Sequence, residues 1–506
     1  MQIVMVASEV APFSKEGGLA DVLGALPAAL DELGHQVSVI SPLYRGVRET
    51  AERIGQPLQA VGEGSFTVPI GDADVPAETW RSRLPDTDVT AYFLQNDRYY
   101  DRDGYYTRRA DHSDYLDNSE RFIFLSRGAL ELCRALRLKP DIIHSHDWPT
   151  GLVPVYVKHV YRDAFPDTAS VFTIHNIAYQ GIFWHWDMNL AGLPWSLFSW
   201  RMLEYYGNLS FLKAGLVGAD VLTTVSRRYS QEIQTEEQGC GMHGVLKERA
   251  ADLYGIVNGI DTDVWNPAAD RFIPAKYSPE DLSGKADCKR ALQERFGLRP
   301  EPSVPLVGMV CRLVDQKGLD LLHQALPALL ERDVQFVVLG RGEPHHHALL
   351  SRAQAENPRS CGVLLDYDDQ AAHLIEAGSD MFLMPSRFEP CGLNQLYSLK
   401  YGTVPVVRAT GGLADTVTDC TESGLQDGTA TGFVFQEYSA DALLRAMDRA
   451  TAVFRQPEKW RRLMLNGMRQ DWSWERSARE YVTAYEQAVR NLSERVSVAG
   501  EERAGA

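Results

Sequence analysis

The sequence predicts an α/β fold made of two Rossmann-like domains, each with a doubly wound parallel sheet. The first observation is length: 506 residues exceed what one hydrophobic core supports, because domains typically span about 50–250 residues. The second is that short apolar, β-branched runs alternate with helical patterns along the chain. The third is that these runs are apolar almost without interruption, which is typical of parallel strands covered by helices on both faces.

Ten such runs predict the strands of the two sheets. They lie at 2–8, 35–41, 141–146, 170–176 and 220–226 in the first half, and at 305–313, 334–340, 362–367, 381–386 and 404–409 in the second. Strands that alternate with helices form parallel sheets, and ligands bind beyond the carboxyl ends of those strands. Functional residues are therefore expected directly after these runs.

The domain boundary is predicted near a turn-rich segment at 254–267, which precedes a polar stretch up to about residue 303. We therefore assign an N-terminal domain to 1–256 and a C-terminal domain to 257–474. An amphipathic pattern at 475–492 predicts one more helix. The polar residues 493–506 are expected to form a flexible tail.

Composition limits the partners of this chain. With 51 basic and 68 acidic residues the net charge is −17, which argues against nucleic acid or an anionic membrane as partner. The seven cysteines include no CxxC pair, so they fit a reducing compartment and predict no metal site. No signal peptide or long apolar segment is visible, and a cytoplasmic protein is expected. The oligomeric state stays open.

The pentapeptide GGLAD occurs twice, at 17–21 and at 411–415, each time between an apolar run and a helical pattern. Glycines let the backbone approach a ligand closely, and free N–H groups at a helix start attract anions. Near the first copy, Lys15 adds a cation. A structural turn with a solvated lysine is the alternative, since the segment is not a GxGxxG fingerprint. We predict that both copies offer a glycine turn to one ligand.

The second half adds cations after another strand end, where Arg312 and Lys317 follow the run 305–313. Arginine can bind a phosphate through two parallel N–H bonds, and lysine contributes a point charge. Two successive turns, at 387–402 and 410–419, present glycines at predicted helix starts. Together these features predict a diphosphate site.

Other candidates have plain structural alternatives. HSHDW at 144–148 partly matches a metal-hydrolase pattern, but its spacing argues against a metal site. The three histidines at 345–347 follow GRGEP, and an exposed loop is preferred there over a metal site. Cys391 could act as a nucleophile only beside a histidine base, and packing at its turn is the preferred interpretation. His175 ends a strand and could equally be a core histidine or a site residue.

An aromatic segment at 179–207 contains four tryptophans: Trp184, Trp186, Trp195 and Trp200. Most rings in such a segment are expected to be core, although amphipathic aromatics also suit the faces of sugars.

Taken together, the motifs resemble those of the bacterial glycogen synthases and plant starch synthases. The resemblance covers nearly the whole chain and is carried by SKEGGLADV, HSHDWPTGLVP, TIHNIAYQG, VNGIDTDVWNP, CRLVDQKGLDLL, SRFEPCGLNQLYSLKYGTVPVVR and TGGLADTV, in this order. It implies a GT-B architecture, with two domains facing across a deep cleft. It also implies transfer of glucose from ADP-glucose to the non-reducing end of an α-1,4-glucan such as glycogen, with retained configuration and with no metal or other cofactor.

The resemblance also implies site residues. The catalytic set is Glu389, His175, Arg312 and Lys317. The substrate-binding set is Lys15, Gly17, Gly18, Tyr100, Asp147, Asn258, Tyr367, Cys391, Gly392 and Leu393. Within these sets, Arg312 and Lys317 would hold the diphosphate and Glu389 would accept bonds from glucose hydroxyls. Tyr367 would stack near the adenine and Tyr100 would lie by the acceptor. The C-terminal helix would return to the first domain.

One position departs from the family pattern. Many members have Thr or Val after the lysine of the first glycine turn, where this chain has Glu16. A carboxylate there would repel a phosphate unless it points away or bonds elsewhere.

The expected mechanism is a front-face displacement. Retaining glycosidases use two carboxylates about 5–5.5 Å apart, and no such local pair is visible. Cations can instead absorb the charge of the leaving diphosphate. The alternatives are a UDP-glucose-dependent glucan glucosyltransferase and a non-catalytic glucan-binding relative. A dinucleotide oxidoreductase would need a GxGxxG fingerprint, and a glucan phosphorylase would need a Schiff-base lysine.

Overall fold

The computed structural model describes residues 1–111 and 113–504, without the side chains of 63–64 and 496–504. The chain forms two compact units. Unit 1 comprises Met1–Val225, Ser230–Ile256 and the segment from Trp474 onwards, and unit 2 comprises Ser226–Tyr229 and Val257–Ser473.

Unit 1 is built on a nine-stranded sheet with the order β12-β11-β7-β6-β1-β2-β5-β4-β3, and a small sheet with the order β8-β10-β9. The strands are β1 (Gln2–Val6), β2 (Gln36–Pro42), β3 (Gln59–Ile70), β4 (Ala73–Arg83), β5 (Thr90–Gln95), β6 (Ile142–His146), β7 (Ala169–Ile174), β8 (Ile182–Trp184), β9 (Glu204–Tyr205), β10 (Asn208–Ser210), β11 (Val221–Thr224) and β12 (Leu253–Gly255). β1 pairs in parallel with both β2 and β6. The strand order reverses between β1 and β6, which makes their carboxyl ends the switch point of this sheet.

Helices connect and cover the strands of unit 1. They are α1 (Gly18–Glu32), α2 (Val47–Arg53), α3 (Asp97–Tyr100), α4 (Asn118–Ala135), α5 (Val153–His159), α6 (Asp187–Ala191), α7 (Phe211–Gly218), α8 (Arg227–Glu232) and α9 (His243–Glu248). Ser210 starts α7 in the way expected of a cap, since its side chain accepts the Lys213 N–H.

Unit 2 contains one parallel sheet with the order β15-β14-β13-β16-β17-β18. Its strands are β13 (Leu306–Val310), β14 (Gln335–Leu339), β15 (Cys361–Leu364), β16 (Met381–Met384), β17 (Val404–Arg408) and β18 (Phe433–Phe435), and its helices are α10 (Ser283–Arg295), α11 (Leu319–Leu330), α12 (Pro344–Glu356), α13 (Asp369–Gly378), α14 (Asn394–Lys400), α15 (Gly411–Thr416), α16 (Glu422–Asp427), α17 (Ala440–Phe454) and α18 (Pro457–Met468). Here the order reverses between β13 and β16, which pair directly.

All ten predicted runs overlap a strand of these two sheets. The sequence pattern missed the strands β5, β12 and β18, and it missed β3 and β4, an antiparallel pair at one end of the first sheet. Exposed and buried residues alternate along much of β4, because a strand of an antiparallel sheet commonly has only one face towards the core. A search for continuous apolar runs therefore passes over it.

The last helix, α19 (Trp474–Ala504), packs on unit 1. Tyr481 and Tyr485 are buried in the core cluster of that unit, and the Tyr485 hydroxyl lies 2.9 Å from Nδ1 of His144. The predicted helix at 475–492 is longer than expected, because α19 continues to Ala504 into the segment predicted as a flexible tail. This segment has no proline and is rich in Glu, Arg and Ala, which favour helix.

No helix within the described residues combines the length and apolar character needed to cross a membrane.

Candidate active site

The first glycine turn of unit 1 follows β1 and is held by Glu9. The carboxylate of this buried residue accepts the N–H groups of Glu16, at 2.5 Å, and Gly17, at 3.0 Å. A third bond comes from the Tyr106 hydroxyl. These two amides are therefore used inside the protein, contrary to the expectation that they are free for an anion. Glu9 was missed because no sequence motif marks it.

Neither glycine of this turn is required by the fold itself. Gly17 has an extended backbone with φ −141°, and a Cβ built on Gly17 or Gly18 meets no atom within 4 Å. Both residues are exposed. Space is thus left open directly in front of the start of α1, as expected where a ligand approaches the backbone.

Lys15 pairs with the aspartate of its own pentapeptide. Its Nζ lies 2.6 Å from Oδ1 of Asp21, and both side chains are partly exposed. Asp21 is the polar residue of GGLAD that the sequence analysis left without a role. The pair orients the lysine beside the glycine turn, and exposure lets Lys15 exchange this partner for a ligand at little energetic cost.

A second group of polar residues follows β6 and β7. Asp147 has a positive φ of 55°, which is uncommon for a residue other than glycine, and its Oδ1 accepts the His175 N–H at 2.7 Å. The ring of His175 lies beside that of His146, with 3.1 Å between Nε2 and Nδ1. Residues held in such backbone conformations concentrate at functional sites.

Burial sets the protonation of this group. It lowers the pKa of His175 to about 3 and raises the pKa of Asp147 to about 7, because desolvation disfavours the charged form of each group. His175 is consequently a neutral imidazole near pH 7. It can orient or stabilise a sugar hydroxyl through hydrogen bonding, and it does not carry a positive charge.

Tyr100 does not lie at a ligand surface, contrary to the role that the resemblance implied. The residue is fully buried, and its hydroxyl donates to the Arg121 carbonyl at 2.9 Å. Its ring packs edge-on against Tyr44 with 5.5 Å between centroids. The short helix α3 turns this side chain into the core, so Tyr100 supports the fold of unit 1.

In unit 2, Lys317 and Glu389 form an ion pair at the switch point of the sheet. Lys317 ends a 3-10 turn after β13, and Glu389 follows β16. The lysine Nζ lies 2.9 and 2.7 Å from the two carboxylate oxygens. Ser386, which the sequence analysis did not single out, donates to Oε2 at 3.0 Å. The structure thus brings together two of the predicted catalytic residues.

Next to this pair, several donors have no partner within the described residues. Arg312 is exposed, and no hydrogen bond or ion pair holds its guanidinium there. The backbone N–H groups of Gly392 and Leu393 likewise donate to no described residue. Cationic and N–H donors without protein acceptors, at the carboxyl ends of parallel strands, are suited to an anionic ligand.

The turn that carries Gly392 is rigid. Gly392 has a φ of +71°, and an added Cβ would lie 2.4 Å from Gln395 Oε1. The Gln395 amide donates to the carbonyls of Cys391 and Gly392, both at 3.0 Å. A glycine is therefore required here by backbone conformation and by packing.

The second GGLAD copy differs from the first. A Cβ on Gly411 would lie 1.9 Å from the Glu389 carbonyl oxygen, and one on Gly412 would lie 1.9 Å from that of Cys391. The Gly412 N–H also bonds to the Glu389 carbonyl at 3.1 Å. This pair therefore supports the loop that carries Glu389. The prediction that both copies offer a glycine turn to a ligand is wrong for Gly412.

Three more predicted residues of unit 2 lie in distinct environments. Cys391 is buried, which raises its thiol pKa to about 12, so it is no nucleophile at neutral pH. Asn258 is also buried, and its Oδ1 has no hydrogen-bond partner within the described residues. Tyr367 is exposed, and its hydroxyl lies 2.6 Å from Asp369 Oδ1.

The aromatic segment of unit 1 lies largely at the surface. Trp184, Trp186, Trp195 and Trp200 are between 43% and 70% exposed, so the interpretation of these rings as core is wrong. Trp186 lies 6.3 Å from Trp184 and 5.4 Å from Trp195, measured between ring centroids. We call Trp184, Trp186 and Trp195 the tryptophan surface. Clustered exposed rings mark a binding surface rather than a packed interior.

The three histidines at 345–347 open helix α12 and do not form an exposed loop, because Pro344 at the first helical position starts the helix there. His346 is buried. Among the described residues, the one group of His, Cys, Asp or Glu with metal-binding geometry consists of Asp315, His345 and His346. HSHDW forms no such group there.

Two Rossmann-like units, with polar residues after the strands that flank each switch point, define a glycosyltransferase of GT-B type. Models of two families match the chain: "Starch synthase catalytic domain" over residues 2–248 and "Glycosyl transferases group 1" over residues 292–462. The glycogen synthase of Syntrophotalea carbinolica is 49% identical over 97% of this chain and 99% of its own length. That of Anaeromyxobacter sp. strain Fw109-5 is 48% identical over 96% and 99%.

Solved structures agree with this assignment. The catalytic domain of starch synthase IV from Arabidopsis thaliana, bound to ADP and acarbose, matches with a TM-score of 0.87 and 34% identity over 97% of this chain and 99% of that one. Sucrose-phosphate synthase from Thermosynechococcus elongatus has the same fold, with a TM-score of 0.57 and 17% identity over 96% and 99%. The chain belongs to the glycogen synthase family of retaining glycosyltransferases. This confirms the fold and the family expected from the motifs.

Proposed function

We propose that the chain transfers the glucosyl group of ADP-glucose to the non-reducing 4-hydroxyl of an α-1,4-glucan such as glycogen. The observation that carries the proposal is the Lys317–Glu389 pair at the switch point of unit 2, together with Arg312, which follows the same strand β13 and has no hydrogen-bond or ion-pair partner among the described residues. This group combines cations for a diphosphate with a carboxylate for a sugar. The starch synthase IV structure contains ADP, which is the product that this donor leaves.

Arg312 and the amides of Gly392 and Leu393 are proposed to bind the diphosphate. Hydrogen bonds that involve a charged group contribute about 1.5–3 kcal/mol each, so a few of them offset the repulsion from a net charge of −17. The exposed ring of Tyr367 is proposed to stack on the adenine. Asn258, whose Oδ1 lacks a partner, is proposed to accept a bond from the sugar.

The proposed chemistry is a displacement on one face of the sugar. The bond between glucose C1 and the distal phosphate oxygen breaks, and a bond forms between C1 and the acceptor 4-oxygen. The acceptor's proton passes to the leaving phosphate oxygen, so ADP departs with its charge balanced by Arg312 and Lys317. Glu389 accepts bonds from glucose hydroxyls while it holds Lys317 in place. We propose that no metal or organic cofactor takes part, since the side chains supply the positive charge.

Residues of unit 1 are proposed to contact the glucosyl group. His175 is neutral because burial lowers its pKa to about 3, and it serves as a hydrogen-bond partner for a sugar hydroxyl. Asp147 positions His175 by accepting a hydrogen bond from its backbone N–H. Lys15 is proposed to leave Asp21 for a donor phosphate. The open space at Gly17 and Gly18 admits the ligand.

The tryptophan surface is proposed to bind the glucan acceptor. Flat apolar rings stack on the C–H faces of sugar rings, and the exposed parts of these tryptophans are accessible to such a ligand. Trp186 lies 6.3 Å from Trp184 and 5.4 Å from Trp195 between ring centroids, so the three rings are proposed to offer consecutive platforms for an extended chain.

One assay tests the proposal. The protein is incubated with glycogen and either ADP-glucose or UDP-glucose in the presence of EDTA, while nucleotide release and chain growth are followed together. We expect release and growth in equal amounts with ADP-glucose. Retention is read from the α-configuration of the new anomeric proton by NMR on a maltooligosaccharide acceptor. Glycogen binding without nucleotide release would indicate a non-catalytic relative, and a preference for UDP-glucose would overturn the donor assignment.

A further inference from the structure

The first turn of α12 contains an imidazole cluster that the glucosyl-transfer chemistry does not use. His346 is 1% exposed, and its Nε2 lies 3.3 Å from Asp315 Oδ1. Glu343 Oε2 lies 4.0 Å from the same nitrogen and 3.5 Å from Nδ1 of His345. Four side chains therefore converge with nitrogen and carboxylate oxygen atoms only.

We propose that Asp315, His345 and His346 bind a divalent transition-metal ion of the Zn²⁺ class, with Glu343 as the fourth ligand. One ligand atom from each of the first three residues lies within 4.8 Å of the others. Zinc binds histidine nitrogen and carboxylate oxygen at about 2.0–2.2 Å in tetrahedral geometry, which separates neighbouring ligand atoms by about 3.3–3.5 Å. The distance of 3.3 Å between His346 and Asp315 already has this value.

The hydrogen bonding of His346 supports a metal ligand. Its Nδ1 lies 3.0 Å from Nε2 of His323, whereas its Nε2 is buried and has no hydrogen-bond partner within the described residues. In the tautomer that has its proton on Nδ1 and donates it to His323, the Nε2 lone pair of His346 is directed at the Asp315 carboxylate. Two acceptors facing each other are unfavourable unless a cation lies between them. Histidine ligands usually donate their second N–H in this way.

The charges of the cluster fit a divalent ion. Asp315 and Glu343 supply two negative charges. Their side chains are 59% and 50% exposed, so an ion can enter from solvent.

The test is a titration of the full chain, expressed without a histidine tag and stripped of metal with EDTA, using Zn²⁺ and the spectroscopic probe Co²⁺. We expect one equivalent per chain and the visible d–d absorption of tetrahedral Co²⁺. Replacing the exposed ligands, by Asp315→Asn or His345→Gln, is expected to weaken binding by at least about 100-fold. Changing the supporting imidazole, by His323→Gln, should weaken it by about 10–100-fold.

His347→Gln is the matched control, because His347 belongs to the same tripeptide but its Nε2 accepts the Gly342 N–H at 3.1 Å. This variant is expected to bind the metal as the unchanged protein does. Melting curves without metal establish that each variant folds. The proposal is overturned if Asp315→Asn and His345→Gln bind as tightly as the control, if several weak equivalents replace the single one, or if Co²⁺ gives no tetrahedral spectrum.

Discussion

The ammonium group of Lys317 lies 2.9 and 2.7 Å from the two carboxylate oxygens of Glu389. The pair is nearly buried, with Lys317 19% and Glu389 6% exposed. Each residue follows one of the two strands, β13 and β16, where the strand order of unit 2 reverses. The carboxylate that we propose to bind the sugar is thereby held in a fixed orientation by the cation that we propose to bind the leaving group.

We expect Glu389→Gln to lower kcat by at least about 100-fold, the scale seen when a group that stabilises charge in the transition state is lost. Glutamine has the shape of glutamate but lacks its negative charge, which is expected to stabilise the positive charge that develops on the sugar in the transition state. The measurement is steady-state ADP release with glycogen and ADP-glucose.

The thermal stability of the variants provides the control for Glu389→Gln. Removing one partner of a buried pair leaves an uncompensated charge, which costs about 3–5 kcal/mol, so Glu389→Gln is expected to melt earlier than the unchanged protein. The double variant Lys317→Met with Glu389→Gln should recover stability without recovering activity. Activity that returned with stability would remove the chemical role assigned to Glu389.

Arg312→Ala should weaken ADP binding without affecting the fold. Loss of one charged hydrogen bond of about 1.5–3 kcal/mol corresponds to a loss of about 10- to 150-fold in affinity. Since Arg312 makes no hydrogen bond or ion pair within the described residues, the melting temperature should stay unchanged. Calorimetric titration with ADP measures the first effect and a thermal melt the second.

Arg290→Ala is the matched control, since Arg290 is an exposed arginine of unit 2 that pairs with Asp287 on its own helix. It is expected to bind ADP normally. Equal ADP affinity for the two variants would show that Arg312 does not contact the diphosphate.

The amino-acid sequence predicted the two sheets well, and also the part of the site in unit 2 that contains Lys317 and Glu389. There is a physical reason for this. Parallel strands are buried on both faces, so they are readable as apolar runs, and ligand residues follow their carboxyl ends. What the pattern could not show is the direction of each side chain. Tyr100 lies in a segment that matches the family, yet its hydroxyl donates to a core carbonyl.

The two GGLAD copies have the same sequence but different surroundings, which the sequence could not show. Both GGLAD copies start a helix, but only tertiary contacts reveal that Gly412 faces the Cys391 carbonyl while Gly18 faces open space. The tryptophan surface was misjudged for a related reason. A dense aromatic segment has the composition of a core, and the segment folds in part into the small antiparallel sheet β8-β10-β9, whose strands of two or three residues are too short to be recognised from the sequence.

The two glycine pairs should respond oppositely to alanine. Gly18→Ala adds a methyl group where no atom lies within 4 Å, so the protein should fold normally and lose activity as the methyl group enters the ligand space. Gly412→Ala places Cβ 1.9 Å from the Cys391 carbonyl and should destabilise the fold by about 1–3 kcal/mol or more. Melting temperature and kcat/KM, measured on both variants, separate the cases. Full activity in Gly18→Ala would contradict ligand approach at the first turn.

Removing rings from the tryptophan surface should raise the KM for glycogen. Each stacked ring contributes on the order of 1 kcal/mol, so Trp186→Ala is expected to raise this KM several-fold while the KM for ADP-glucose stays constant. Leu116→Ala, at a side chain that is 94% exposed, controls for loss of any apolar surface residue of unit 1. An unchanged glycogen KM in Trp184→Ala, Trp186→Ala and Trp195→Ala would exclude this surface from acceptor binding.

Acid should destabilise the protein through its buried histidines. Burial lowers the pKa of His144 to about 3, whereas an unfolded histidine has a pKa of about 6.5. Between these values only the unfolded chain binds the proton, so stability is lost as the pH falls from about 6.5 towards 3, by about 2 kcal/mol for this group at pH 5. Calorimetric melts at pH 7 and pH 5 measure the loss. In His144→Gln the loss of stability between pH 7 and pH 5 should shrink by that amount, even if the variant is less stable at pH 7. In the partly exposed control His185→Gln the loss of stability should be the same as in the unchanged protein. An equal loss in both variants would rule out His144 as a source of the acid sensitivity.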